Sequence, residues 1–126
     1  GLVAITAEPL MPSPLAAILI GAVGGVIVVY GTKFLLSLKI DDVVGAIPAH
    51  LFAGIWGTLA VPITNPDAAF GTQLLGVVAV NAFVFIVSFI IWALMKNTFG
   101  IRLSKEGETK GTDVTETGVI AYAIRD

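Results

Sequence analysis

Three stretches without a charged side chain, Leu10 to Thr32, Val43 to Thr64 and Ala68 to Met95, constrain this chain more than any other feature. Each exceeds the roughly 20 residues that carry a helix across a hydrocarbon core of about 30 Å. Isolated strands would leave backbone N–H and C=O groups unpaired in lipid, so helices are expected. Composition agrees: 56% of the residues are hydrophobic and 13% charged, against about a quarter charged in soluble domains. The expected fold class is all-α, a polytopic membrane protein with three transmembrane helices.

The segments between these stretches carry turn residues, in "EPLMPSP", "SLKIDD" and "TNPDAAFGT". The expected layout is the end of a preceding helix with an external loop over 1–9 and a span over 10–32. A cytoplasmic loop over 33–42 leads to a second span over 43–64. An external loop over 65–73, a third span over 74–95 and a water-exposed tail over 96–126 complete it. Lys33 and Lys39 fall after the first span; Lys96, Arg102, Lys105, Lys110 and Arg125 come after the third. These are all 7 basic residues. Three crossings put every one on the same side, which the positive-inside rule makes the cytoplasm. The opposite side holds only Glu8 and Asp67. The expectation is a multi-pass protein of the cell membrane with a cytoplasmic C-terminus. The chain starts at Gly1 with no signal-peptide pattern, so a piece of a longer polypeptide is expected.

Candidate chemistry is sparse. There is no cysteine and a single histidine, His50, inside the second apolar stretch. No phosphate loop, nucleophile–base pair or metal-ligand set is present, so neither an enzyme nor a cofactor or metal site is expected. No basic face points to nucleic acid. On an α-helix, Ala46, Ile47, His50, Ala53, Gly54 and Gly57 share one face, so the imidazole projects among small residues. Two roles fit that placement. One is an interhelical hydrogen bond, worth only about 0.6 to 2 kcal/mol. The other is a lumen-facing group on a substrate path, since ionisable groups within spans mark such paths. Asp41 and Asp42 precede the stretch; an aspartate there caps the helix and suits its dipole. Pro48 lacks an N–H and is expected to bend or loosen the helix two residues before His50. Gly21 with Gly25, and Ala53 with Gly57 beside Gly54, give the small-residue spacing of close helix packing. In the tail, Asp113-Val114-Thr115-Glu116 has capping-box spacing and predicts a short helix from Val114.

"KIDDVVGAIPAHLFAGIWGTLAV", residues 39–61, resembles the signature near the end of ammonium transporters, the Amt/Mep/Rh family. "GLVAIT" and "AAILIGAVGGVIVVYG" resemble the helices before it. "FGIRLSKEGETKGTDVTETGVIAYAIRD" resembles the family's cytoplasmic tail. There Gly111, Asp113, Gly118, Ala121 and Tyr122 fit the family pattern, whereas Thr112, Thr117 and Val119 replace its usual Leu, His and Glu. The resemblance implies an eleven-helix fold of two inverted five-helix repeats plus a last long helix, assembled as a homotrimer. Each protomer has a hydrophobic pore lined by two histidines, one per repeat. His50 is then the second pore histidine and Asp42 the acid that precedes it. The three spans are the last three of the eleven. Ammonium or ammonia, the lipid bilayer and, at the cytoplasmic face, a PII-type signal protein are the implied partners. The expected function is that of a C-terminal fragment of an ammonium channel or transporter. The alternative is a truncated, non-conducting structural or regulatory module that packs with full-length protomers.

The charge distribution makes topology testable. A reporter inserted at residues 65–67 should be accessible from outside the cell, and one inserted after Lys110 only from the cytoplasm. Accessibility of both from the same side contradicts three crossings.

Overall fold

The computed structural model describes residues 1–121, and all regular structure among them is helical. Its elements are α1 (Leu2–Ile5), α2 (Pro14–Ser37), α3 (Ile47–Thr64), α4 (Phe70–Thr98), α5 (Lys105–Lys110) and a π-helical turn at Asp113–Thr117. Helices α2, α3 and α4 are long and apolar enough to cross a membrane. Contacts divide the chain into two units, Gly1–Phe83 and the chain from Val84 onward.

Each boundary has a local cause. Helix α2 starts at Pro14, four residues later than the uncharged stretch. Ser13 caps it, accepting the Ala16 N–H at 3.3 Å, and Pro14 occupies the first turn, where its missing N–H costs nothing. At its other end, Lys39 adopts φ 58° and Ile40 donates to the Leu35 carbonyl at 3.1 Å. That is a Schellman closure with lysine in place of the usual glycine. Helix α4 runs for 29 residues, roughly 43 Å at 1.5 Å per residue. It therefore extends beyond the 74–95 span at both ends.

Within the first unit, small residues bring α1, α2 and α3 together. Ala4, Ile20 and Ala60 form a buried cluster, flanked by Ile5 and Trp56. Gly57 lies so close to the Ala4 backbone that a β-carbon there would overlap its carbonyl. On α2 the tightly packed glycines are Gly24 and Gly31. A β-carbon at Gly24 would stand 2.7 Å from that of Ala4. A β-carbon at Gly21 would make ordinary contact with Gly1, one at Gly54 would stand 3.8 Å from Val3 Cγ1, and one at Gly25 would have no neighbour within 4 Å among the described residues. Within this unit the closest approaches to α2 are thus at Gly24 and Gly31, with the Gly21 backbone beside Gly1. Trp56 Nε1 donates to the Ile20 carbonyl at 3.0 Å, tying α3 to α2. Asn65 Nδ2 donates to Glu8 at 2.8 Å, holding the loop that precedes α2 and the loop after α3 at the same end of the unit. Helix α4 buries none of its residues.

In the second unit, Ser104 caps α5 by accepting the Gly107 N–H at 3.1 Å. Thr115 Oγ1 donates to the Gly107 carbonyl at 3.2 Å and joins the π-helical turn to α5. The capping box expected at Asp113 does not form: the helical turn already includes Asp113, and its carboxylate accepts the Ala121 N–H at 2.8 Å. The short helix that a side chain does cap is α5, eight residues earlier in the sequence. Tyr122 lies outside the described residues.

Two tail carboxyls gain by this arrangement. The N–H groups of Ala121 and then Val114 hold Asp113 below its ordinary 3.8. A hydrogen bond from Arg102 holds Glu108 below its ordinary 4.5. A lowered folded-state pKa means that the stabilisation is complete above the ordinary value and is lost as pH falls through the folded one. Amide-exchange protection at Gly107 and Ala121 should therefore hold at neutral pH and fall on acidification below about 4. Protection that rises on acidification contradicts the assignment.

Candidate functional site

The start of α3 poses a hydrogen-bonding problem, because the first N–H groups of any helix have no partner within it. Here a turn, with Gly45 donating to the Asp42 carbonyl at 3.1 Å, folds the chain back over the helix end. Gly45 sits at φ 68°, a conformation glycine adopts without a β-carbon penalty. The turn aims the Asp42 carboxylate at the helix end. One oxygen accepts from Ala46 N and the other from Ile47 N, both at 2.8 Å. Pro48, next in line, has no N–H to satisfy. Ala49 donates back to the Gly45 carbonyl at 3.1 Å. All four leading positions are accounted for.

This shifts two sequence expectations. The helix starts at Ile47 rather than Val43, and Asp42 reaches it across the intervening turn. Pro48 stands in the first helical turn, not in the interior, so it displaces no existing bond. What loosens is the winding itself. Residues Ile47–Phe52 form a π-helical turn, and Ala53 donates to the Pro48 carbonyl five residues back.

The wider turn redirects His50. In an α-helix, each residue advances about 100°, which would place Gly57 nearest beneath His50 and Gly54 farther round. A π turn holds more residues per turn and rotates His50 by roughly 40° relative to the rest of the helix. His50 then falls in line with Gly54 and Thr58. Ala53, 0% exposed, and buried Gly57 face the packed side. The six-residue small face expected for an ideal helix is thus split between a packed side and an open side.

The open side is a groove of about 380 Å³ between α3 and the first half of α4. His50, Leu51, Gly54, Ile55 and Thr58 line it from α3; Gly76, Val77, Val80 and Asn81 line it from α4. His50 is exposed within it. The walls are aliphatic, and the polar side chains are those of His50, Thr58 and Asn81. Asn81 spends its amide N–H on the Val77 carbonyl at 2.7 Å, leaving its oxygen available. Thr58 and Asn81 were not singled out from sequence. Asn81 stands alone within a long apolar stretch, which is itself a signal. Thr58 is found by the i, i+4, i+8 line from His50 through Gly54. Asp42 is not in this groove; it acts at the helix end. Among the described residues no cluster of His, Asp and Glu suited to a metal is present.

Residues 1–122 match the Ammonium Transporter Family model, and the chain belongs to that family. It is a family of transporters rather than enzymes, and the apolar helices mark the chain as a membrane protein. The chain is 34% identical to the ammonium transporter Amt2 of Archaeoglobus fulgidus, covering 97% of this chain and 30% of that protein. It is 40% identical to a putative ammonium transporter of Synechocystis, covering 94% and 27%. An ammonium transporter of Bacillus subtilis is 33% identical, covering 97% and 34%. The chain thus spans about a third or less of the length of these relatives. No solved structure matches it.

The capping geometry separates two substitutions of Asp42. Asp42→Asn keeps one acceptor oxygen and loses the other, while Asp42→Ala loses both. Amide-exchange protection at Ala46 and Ile47 should fall from wild type to Asn to Ala, with a local cost of about 1 kcal/mol for Ala. Unchanged protection in Asp42→Ala contradicts the capping role.

Proposed function

We propose that this chain is the C-terminal portion of an ammonium transporter. Its three spans are the last three of an eleven-helix protomer, and His50 lines the conduction pore. The observation that carries this reading is the exposed imidazole in a groove with aliphatic walls. Family membership and the line of His50, Gly54 and Thr58 support it.

The chemistry rests on desolvation. A cation is costly to bring among aliphatic side chains, whereas neutral ammonia is not. Ammonium can leave its proton behind and cross as ammonia; potassium has no proton to lose. A neutral imidazole offers one acceptor and one donor nitrogen. His50 accepts a hydrogen bond from the passing amine, and a second histidine from the preceding repeat completes the pair. Gly54, with no side chain, leaves the lumen open beside the ring. Asp42 contributes from the cytoplasmic end by fixing where α3 starts, and so where His50 stands. The complete protein is a homotrimer in the plasma membrane. Its tail from Lys96 lies in the cytoplasm, where a PII-type signal protein docks.

The test uses the complete transporter in liposomes, with ammonium and potassium uptake measured beside the yield of assembled protein. His50→Ala should change conduction or selectivity while the protein still inserts and assembles. A His50→Ala protein that conducts ammonium at the normal rate and still excludes potassium refutes the pore assignment. A loss confined to assembly makes His50 interhelical glue instead.

A further inference from the structure

The direction of His50 depends on the π-helical turn at Ile47–Phe52, and that turn needs a cause. Its own hydrogen bonds do not supply one, because π winding is rarely preferred over α winding without outside support. The support comes from α2. Pro48 is the largest side chain fully buried in the described residues. It packs against α2 at Gly31, as does Phe52, at the other end of the turn. A β-carbon on Gly31 would stand 2.6 Å from Phe52 Cδ2, 3.1 Å from Phe52 Cε2 and 3.1 Å from Pro48 Cβ. Gly31 is itself buried. The glycine therefore forms a notch, and the two ends of the wide turn are seated in it together. His50 lies between them in sequence and leaves from the opposite side of the helix, into the groove.

We propose that Gly31 is a positioning residue for His50: the notch it leaves on α2 seats Pro48 and Phe52, holds the π turn and aims the imidazole into the groove. Gly31 touches no permeant molecule and acts only through the turn. The inference rests on the pore assignment of His50 and adds the residue that sets its direction.

A substitution that fills the notch must displace Phe52, Pro48 or both, because its β-carbon would overlap the Phe52 ring and crowd Pro48 Cβ. In the complete transporter, Gly31→Ala should lower ammonium uptake about tenfold, the scale expected when a packed site is overfilled. The yield of assembled protein should stay near wild type. Gly31→Ala combined with Phe52→Val, which removes the overlapping ring atoms, should recover most of the uptake. In Gly31→Ala with His50→Ala, the two losses should be far from additive, because both act on one imidazole. Additive losses, or normal uptake by Gly31→Ala, each overturn the inference. Should Gly31→Ala not assemble, Phe52→Val alone unseats the turn without adding atoms and is read in the same cycle with His50→Ala. The His50→Ala arm keeps the two ideas apart. If that variant conducts ammonium normally and excludes potassium, the pore assignment fails. If it is impaired while Gly31→Ala and Phe52→Val are not, only the positioning role fails.

Discussion

Every backbone N–H and C=O that lies in lipid must find its partner within the protein. The structure meets that demand with helices, and the demand is sharpest where a helix starts. At the head of α3 it is met by the Asp42 carboxylate on Ala46 and Ile47, by a proline that has no N–H, and by the Ala49 to Gly45 bond. That solution fixes where α3 begins, and the winding of its first turn, seated against α2 at Gly31, sets the side from which His50 leaves. Capping and packing thus act together on the direction of one histidine.

Helix association in lipid cannot draw on the hydrophobic effect, since lipid tails are as apolar as the side chains they would release. Close backbone approach takes its place. Gly57 against Ala4, Gly24 against Ala4, and Gly31 against Pro48 and Phe52 are tight contacts that join α1, α2 and α3. The Trp56 to Ile20 hydrogen bond adds a polar tie within the apolar packing. These contacts occupy one side of α3. The other side is left to His50, Gly54 and Thr58, facing the first half of α4.

Much of this was legible in the sequence, for identifiable reasons. Uncharged stretches have one physical outcome in lipid, so the three long helices and the all-helical class could be read directly. His50 stood out as the sole histidine, and Asp42 as a carboxylate ahead of an apolar stretch. Ser13-Pro14 marks the start of α2 by cap chemistry, yet hydropathy alone placed it four residues early. The face of His50 was harder. An ideal 3.6-residue period assigns Ala53 and Gly57 to the imidazole's side, and only the π turn moves them to the packed side. Pro48 in "IPAHLF" signals a loosened turn but not its π winding, and the residue that seats that turn, Gly31, lies sixteen residues upstream on another helix. In the tail, the competition for Asp113 was decided by Ala121, which comes within reach only after the chain folds back. Asp113 spacing is therefore a poor guide to capping there.

The division of α3 into an open and a packed side is tested most directly by single cysteines in the complete transporter, since this chain contributes none of its own. Gly54→Cys and Thr58→Cys stand on the open side; Ala53→Cys and Ala60→Cys stand on the packed side. Each variant is exposed to a small neutral thiol reagent while ammonium uptake in liposomes is monitored. Modification at positions 54 and 58 should block uptake, and ammonium should slow that block. Positions 53 and 60 should leave uptake unchanged. Block at 53 and 60 with none at 54 and 58 would show that His50 points into packed helices and not into a pore.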